Sequence, residues 1–285
     1  MSRLLAAARR RAVVLTAIGA VAAVAVLAAA VPSASGAFSA GITNSQDTVG
    51  TATYFRCGDA LAADQAAALF QWPLSDPTGS TAAADVSGKS HPGTYSGTMT
   101  ASGTAPLACP RDAGTAWILD GSAQTAVYPT QQTSPNTFSV EIWFRTTTAG
   151  GKLIGFGTTT GTSGQYDRHL YLDTSGAVVF GVYANAIKTL RTTGTNYADG
   201  RWHSAVGTLS SAGLALYVDG APVASDPSVT TGENDSGYWK VGYDTLGGSW
   251  PNTSTPSFVG RLRYAAVYTS ALTPAQVRAH DAAGR

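Results

Sequence analysis

The stretch "DGRWHSAVGTLSSAGLALYVDG", Asp199 to Gly220, decides how this chain folds. Small and apolar residues alternate from Trp202 to Leu209, a Ser-Ser-Ala-Gly break follows, and the alternation resumes from Leu214 to Val218. Two alternating runs divided by a short glycine-containing break predict a hairpin of antiparallel strands. Asp219 and Gly220 then predict the next tight turn, because glycine lacks the Cβ that excludes other residues from turn conformations. His203 keeps register with Ala205, Gly207 and Leu209, so it points to a sheet face and reads as structural, not catalytic.

The same grammar extends through the chain. From Ala67 onward, short alternating runs are separated by Gly, Asp, Ser and Pro, the pattern of a two-layer sandwich. In "TFSVEIWFRT", Phe138, Val140, Ile142 and Phe144 share one face, and Ser139, Glu141, Trp143 and Arg145 share the other. Further strands are expected in "KLIGF", "HLYLD", "AVVFGVY", "YWKVGY" and "FVGRLRYAAVYT". So many short strands need two stacked sheets, and about 220 residues is within the reach of one antiparallel sandwich. The one expected helix is "SALTPAQVRAHDAAG": Thr273 caps it, Pro274 opens it, Gln276 completes a capping box and Gly284 closes it, with Leu272 and Val277 laid against the sheets.

Composition agrees with a loop-rich β protein: of 285 residues 44% are hydrophobic and 12% charged, with 32 glycines. The first segment carries Arg3, Arg9, Arg10 and Arg11, then an uncharged run from Ala12 to Val31, then small residues. This reads as an export signal over residues 1–36, cut after Gly36 or Ala37, or as an uncleaved anchor, since twenty apolar residues are long enough to cross a bilayer. Without those four arginines, 17 acidic residues outnumber the basic ones, and no positive footprint for nucleic acid remains. The expected location is therefore secreted, extracellular or cell-surface, with membrane contact only through the apolar segment if it is uncleaved. Residues 37–66 read as an extended arm, and the domain proper as 67–285. The two cysteines, Cys57 and Cys109, predict a disulfide in an exported chain, which would contribute about 4 kcal/mol by restricting the unfolded state.

The Asp199–Gly220 hairpin resembles that of laminin-G-like domains of the concanavalin A-like lectin/glucanase superfamily, where a Trp-His pair opens one strand and Leu-Tyr-Val-Asp-Gly ends the next. "ALFQWPLSDPTGSTAAADVSGKSHPGTYSG", "AWILDG", "FSVEIWFRT" and "FVGRLRYAAVYTSALTPAQV" resemble further segments of that family, in order, from Ala67 to Ala283. A short stretch, "GAFSAGITNSQDTVGTAT", also resembles the mature N-termini of secreted bacterial biofilm-fibre and camelysin-like proteins. The main resemblance implies an all-β, antiparallel two-sheet jelly roll with a short C-terminal helix.

Fold does not fix function, so the chemistry must be read from the residues. Family glucanases carry Glu-x-Asp-x-Glu on one strand, placing two carboxylates about the glycosidic bond. Here the only glutamates are Glu141 and Glu233, and Glu141 alternates with Ser139 and Trp143. His91, His169, His203 and His280 show no metal-ligand spacing. Many relatives bind Ca2+, which suggests Asp85 in "DVSGK" and the closing strand, but Arg263 stands where relatives commonly carry an acid. The expectation is no metal and no cofactor, with Asp85 as a turn former or a partner of Arg263. The expected function is a non-catalytic binding module for an extracellular glycan, or else a structural, adhesive module contacting cell-surface proteins. Sugar binding would use an exposed aromatic ring. Trp72, Trp117, Trp143 and Trp202 lie in strands and read as core or sheet-face residues. Trp250, in the irregular "DTLGGSWPNTSTPS", is the candidate platform or else a plug for the sandwich end, and Tyr243, Asp244, Tyr166 and Asp167 are candidates beside it.

Overall fold

A computed structural model describes residues 53–285, so the segment expected to be an export signal or anchor and most of the expected arm lie outside the described residues. Among those described, no helix is long and apolar enough to cross a membrane. Two antiparallel sheets stack face to face. The eight-stranded sheet runs β15 (Ala221–Asp226), β14 (Gly213–Val218), β13 (Trp202–Ser210), β8 (Phe138–Arg145), β17 (Val259–Tyr268), β5 (Ala116–Asp120) and β4 (Thr100–Ser102), with β1 (Ala68–Trp72) also paired to β17. The nine-stranded sheet runs β12 (Ile187–Arg191), β11 (Val178–Tyr183), β10 (Tyr166–Leu172), β9 (Lys152–Gly157), β16 (Ser236–Val241), β6 (Thr125–Val127), β3 (Gly93–Ser96) and β2 (Ala82–Ala83), with β7 (Gln132–Thr133) on β16.

The diagnostic hairpin forms as its alternation demands. β13 and β14 pair from Ala205 opposite Val218 to Ser210 opposite Gly213, leaving a two-residue turn. Asp219 and Gly220 both take positive φ, the twist that matches a two-residue hairpin between β14 and β15. His203 sits at the rim of the core face, edge-on to Tyr197 and beside Phe144. Its Nδ1 lies 2.8 Å from Asp219 and its Nε2 3.1 Å from Asp199. It thus ties two turns together. Burial works against charging this ring, but the two carboxylates outweigh it and raise the pKa.

Between the sheets, Phe70, Trp72, Trp117, Phe138, Ile142, Phe144, Phe156, Phe180 and Trp239 form one close-packed core. The alternation on β8 delivers Phe138, Val140, Ile142 and Phe144 to it. Its other face is buried as well: Trp143, Trp202, Val206, Tyr268, Leu272 and Val277 form a second core with Cys57 and Leu61. Two helices supply the cover, α1 (Cys57–Ala63) and α2 (Pro274–Ala283). α2 begins as its sequence predicts, with a complete Thr273–Gln276 capping box and Pro274 in the first turn. Gly284 ends it with a negative φ, so its lack of a side chain serves packing: a Cβ there would lie 2.3 Å from the Trp143 ring.

Within the expected extended arm over 37–66, whose residues 37–52 lie outside those described, α1 is helical and not extended. Its sequence, CGDALAA, is rich in the best helix former, and packing supplies what so short a helix lacks, with Cys57, Ala60 and Leu61 all buried. The Cys57–Cys109 disulfide, Cα atoms 5.8 Å apart, fastens α1 to the body.

Candidate functional site

The outer face of the nine-stranded sheet is built differently. Cross-strand pairing sets Thr94 on β3 beside Val127 on β6, Val127 beside Lys240 on β16, and Lys240 beside Gly155 on β9. His169 on β10 pairs with Gly181 on β11. The two glycines leave space that other residues would fill. A Cβ on Gly155 would meet His169 and the Lys152 stem, and one on Gly181 would lie 2.7 Å from the Trp250 ring.

Trp250 therefore is neither an exposed platform nor a plug at the sandwich end, but a buried ring laid on the outer face of this sheet. It is only 6% exposed, packs with Tyr171, Val179 and Leu246, and stands edge-on to His169 with ring centres 4.3 Å apart. The segment carrying it is pinned just after the ring, by the Tyr171 hydroxyl donating to the Pro251 carbonyl and by the Thr174 amide donating to the Asn252 carbonyl. A ring held in this way offers no free face to a sugar.

Beneath that segment lies a buried polar cluster. Asp244 accepts from the amides of Ser163 and Thr245 and pairs with Lys240 at 3.0 Å. Lys152 approaches the other Asp244 oxygen only to 3.7 Å, an ion pair beyond hydrogen-bond length, and its ammonium has no hydrogen-bond partner. Burial pushes the Lys152 pKa down to about 8 against the pull of Asp244. Both ring nitrogens of His169 also lack partners, and burial, reinforced by the charges of Lys152 and Arg168, keeps that ring neutral. Tyr166 lies over the Lys152 ammonium at 5.1 Å and Tyr243 hydrogen-bonds Thr162 at 3.1 Å, so both belong to this neighbourhood. Asp167 is engaged elsewhere, held by the Arg168 guanidinium, which also reaches the Pro135 and Glu233 carbonyls. Burial lifts the Asp167 pKa to about 6 although Arg168 opposes the shift.

Next to this cluster the face opens into a groove of about 390 Å³ lined by Thr94, Ser96, Val127, Pro129, Thr160 and Gly161. The Lys240 ammonium donates to the Gly161 carbonyl and to Ser163, so the buried charges brace the groove wall. Exposed hydroxyls on Thr94, Ser96 and Thr160 stand beside the apolar surfaces of Val127 and Pro129. Such a lining hydrogen-bonds the hydroxyls of a ligand while packing against its C–H faces.

The sequence reading named Tyr243, Asp244, Tyr166 and Trp250, which the fold does gather. It missed Lys152, His169, Lys240 and Ser163, and every groove residue. A signal existed for the lysines, since Lys152 and Lys240 are single charges inside otherwise apolar strand runs. The groove residues are small and ordinary, and only the register unites them.

The residues considered for metal are otherwise occupied. Asp85 accepts from the amides of Gln71, Ser87 and His91 and from the Ser87 hydroxyl, so it acts as the turn former. It does not pair with Arg263, whose guanidinium donates to the carbonyls of Ala108 and Ala113. Cys57, Cys109 and Asp112 lie close together, but the disulfide removes both thiolates that a metal would need. Glu141 is buried among His280, at 2.9 Å, and Tyr268, at 3.1 Å.

A family model for the concanavalin A-like lectin/glucanases superfamily, the third laminin-G type, matches residues 120–278, more than half of the chain. The chain belongs to that superfamily. Its jelly roll recurs in domain 4 of AbnA, an extracellular GH43 arabinanase of Geobacillus stearothermophilus solved with arabinotriose, at 17% identity and TM-score 0.53, covering 75% of this chain and 98% of that one. The binding domain of Paraclostridial Mosquitocidal Protein 1 matches at 15% identity and TM-score 0.53, covering 75% of this chain and 51% of that one. A Trypanosoma rangeli sialidase matches at 14% identity and TM-score 0.51, covering 75% of this chain but only 32% of the enzyme. These likenesses carry the fold. No curated protein matches the sequence.

Proposed function

We propose that this chain is an exported, non-catalytic glycan-binding module whose site is the groove beside Lys240 on the nine-stranded sheet. The observation that carries the reading is that groove itself: open, hydroxyl-lined, floored by the rigid β3–β6–β16 row and braced from below by the Lys240–Asp244 pair. The arabinanase domain, solved with arabinotriose, supports a saccharide as the class of ligand for this fold. The binding role is favoured over hydrolysis because one of the two glutamates, Glu141, is committed to His280 in the interior, and Asp244 and Asp167 are each held by cations. Export is supported by the apolar N-terminal run and by the disulfide. A glycan array probed with the chain, with and without chelator, tests it. Thr94→Arg/Ser96→Arg fills the groove from two exposed positions, so it should abolish retention on the array and leave the melting temperature within about 2 °C. Retention unchanged by this variant would place the site elsewhere.

A further inference from the structure

At one end of β8 and β17, the outer face of the eight-stranded sheet opens into a second, smaller pocket of about 180 Å³. It is lined by Arg145, Thr146, Thr147, Gly200, Gly260 and Arg261. Arg145 and Arg261 are direct cross-strand partners in the β8–β17 register. Residues so placed hold their Cβ atoms about 5 Å apart, where like charges destabilise a sheet. A carboxylate between them would relieve the repulsion. Among the described residues neither arginine is ion-paired, although Arg168, Arg191 and Arg285 all are. Each spends a single nitrogen on the protein, Arg145 on the Gly200 carbonyl and Arg261 on the Thr104 carbonyl. The remaining donors of two planar forks have no acceptor among the described residues, and both side chains are half-buried.

The walls keep the space between them clear. Gly260 has φ +143°, and a Cβ there would lie 2.4 Å from the Arg145 carbonyl oxygen. Gly200 has φ +80°, with the Thr147 methyl 3.3 Å from where its Cβ would sit. Both positions therefore require glycine, and both glycines line the pocket together with the two arginines. Burial and the neighbouring Arg145 charge both lower the Arg261 pKa, the direction expected for a cation facing another cation.

We propose that the Arg145–Arg261 pocket is an oxyanion site, which takes a sulfate or phosphate group between the two guanidinium forks. Such groups match guanidinium geometry, and each fork supplies charge-assisted hydrogen bonds that the pocket otherwise leaves unmade. The volume admits the group as a free ion or as an ester on a larger molecule. The proposal stands independently of whether the groove on the other sheet holds a glycan.

Titration calorimetry and thermal melting with sodium sulfate and sodium phosphate, against sodium chloride at matched ionic strength, test it. Saturable binding of sulfate or phosphate, with a rise in melting temperature beyond that in chloride, is expected. Arg261→Gln should weaken it about tenfold or more, while raising the melting temperature in chloride because the repulsion is gone. Thr147→Asp, at an exposed position on the pocket wall, supplies the missing carboxylate, so it should stabilise the chain in chloride and abolish the sulfate response. Glucose 6-sulfate compared with glucose and with inorganic sulfate distinguishes the sources: preference for the ester assigns a sulfated molecule, and preference for the ion assigns a free anion. Equal responses to sulfate and chloride in the unaltered chain would overturn the proposal, as would a sulfate response that survives in both variants.

Discussion

On the eight-stranded sheet the outward row Ser139, Glu141, Trp143 lies buried beneath two helices, whereas on the nine-stranded sheet the outward row Thr94, Val127, Lys240 runs into an open groove. Both rows carry charge, and they satisfy it differently. Glu141 and Asp64 each hold one ring nitrogen of His280 at 2.9 Å, and Tyr268 donates to Glu141. Under Trp250, by contrast, the Lys152 ammonium, one Asp244 oxygen and both His169 nitrogens lack hydrogen bonds. His280 is matched on both nitrogens, although Gln71 Oε1, Asp112 Oδ1 and Arg263 Nε lack partners elsewhere on that face, and unmatched groups cost stability where they stand. The first face is sealed by two helices, while the second keeps its unmatched groups beside an open groove.

The sharpest way to break this contrast is at the disulfide. Cys57→Ala/Cys109→Ala frees a loop spanning 52 positions and should cost about 4 kcal/mol in denaturant unfolding. The loss falls on the sealed face, because α1 is fastened there, so native-state hydrogen exchange should rise in α1 and α2 well before it rises in β3, β6 and β16. Uniform exchange through both sheets would show that the faces are not separable.

Next in size is Trp250→Ala. Removing a buried indole wedged over His169 and Gly181 should cost about 3 kcal/mol, read from the shift of the denaturation midpoint. Groove binding should survive, since Trp250 does not line it. A melting temperature unchanged by the substitution, with glycan retention lost, would restore the exposed-platform reading.

The smallest effect is in pH. Burial works against the charged His280 ring, yet Glu141 and Asp64 together hold its pKa up at about 9. A raised pKa contributes stability that is fully present below the ordinary value of 6.5 and is lost as pH climbs through about 9. That loss should be at most about 3 kcal/mol, reduced in the net by the opposite change at Lys152, and His280→Asn should remove its share of the dependence. Lys152 has the opposite sign: its pKa is pushed down to about 8, so its cost is present below that pH and is relieved as pH rises toward 10.5. Unaltered chain that gains stability between pH 6.5 and 9 would mean the Lys152 face dominates.

Much of this was legible in the residues alone. The Trp202–Val218 hairpin, the alternation of Phe138 to Phe144 and the Thr273 cap rest on local spacing, which a sequence displays, and the disulfide rests on there being just two cysteines. Three things were hidden for physical reasons. Glu141 and Trp143 look like the solvent side of an amphipathic strand until two distant helices cover them. α1 looks like an unpatterned Ala-rich arm because its helicity depends on the sheet it packs against. Trp250 looks exposed because its loop is polar and glycine-rich, while the glycine that admits its ring, Gly181, lies some seventy residues away. The groove depends wholly on register, which no single strand reveals.

The central claim is that one sheet is sealed to hold the fold while the other binds saccharide through its open groove. Amide chemical shifts followed during titration with the saccharide best retained on the array test it most directly. Saturable shifts at Thr94, Ser96, Val127 and Gly161, with Glu141, Trp143 and His280 unmoved, are the predicted result. Shifts confined to the eight-stranded sheet, or none with any saccharide offered, would contradict it.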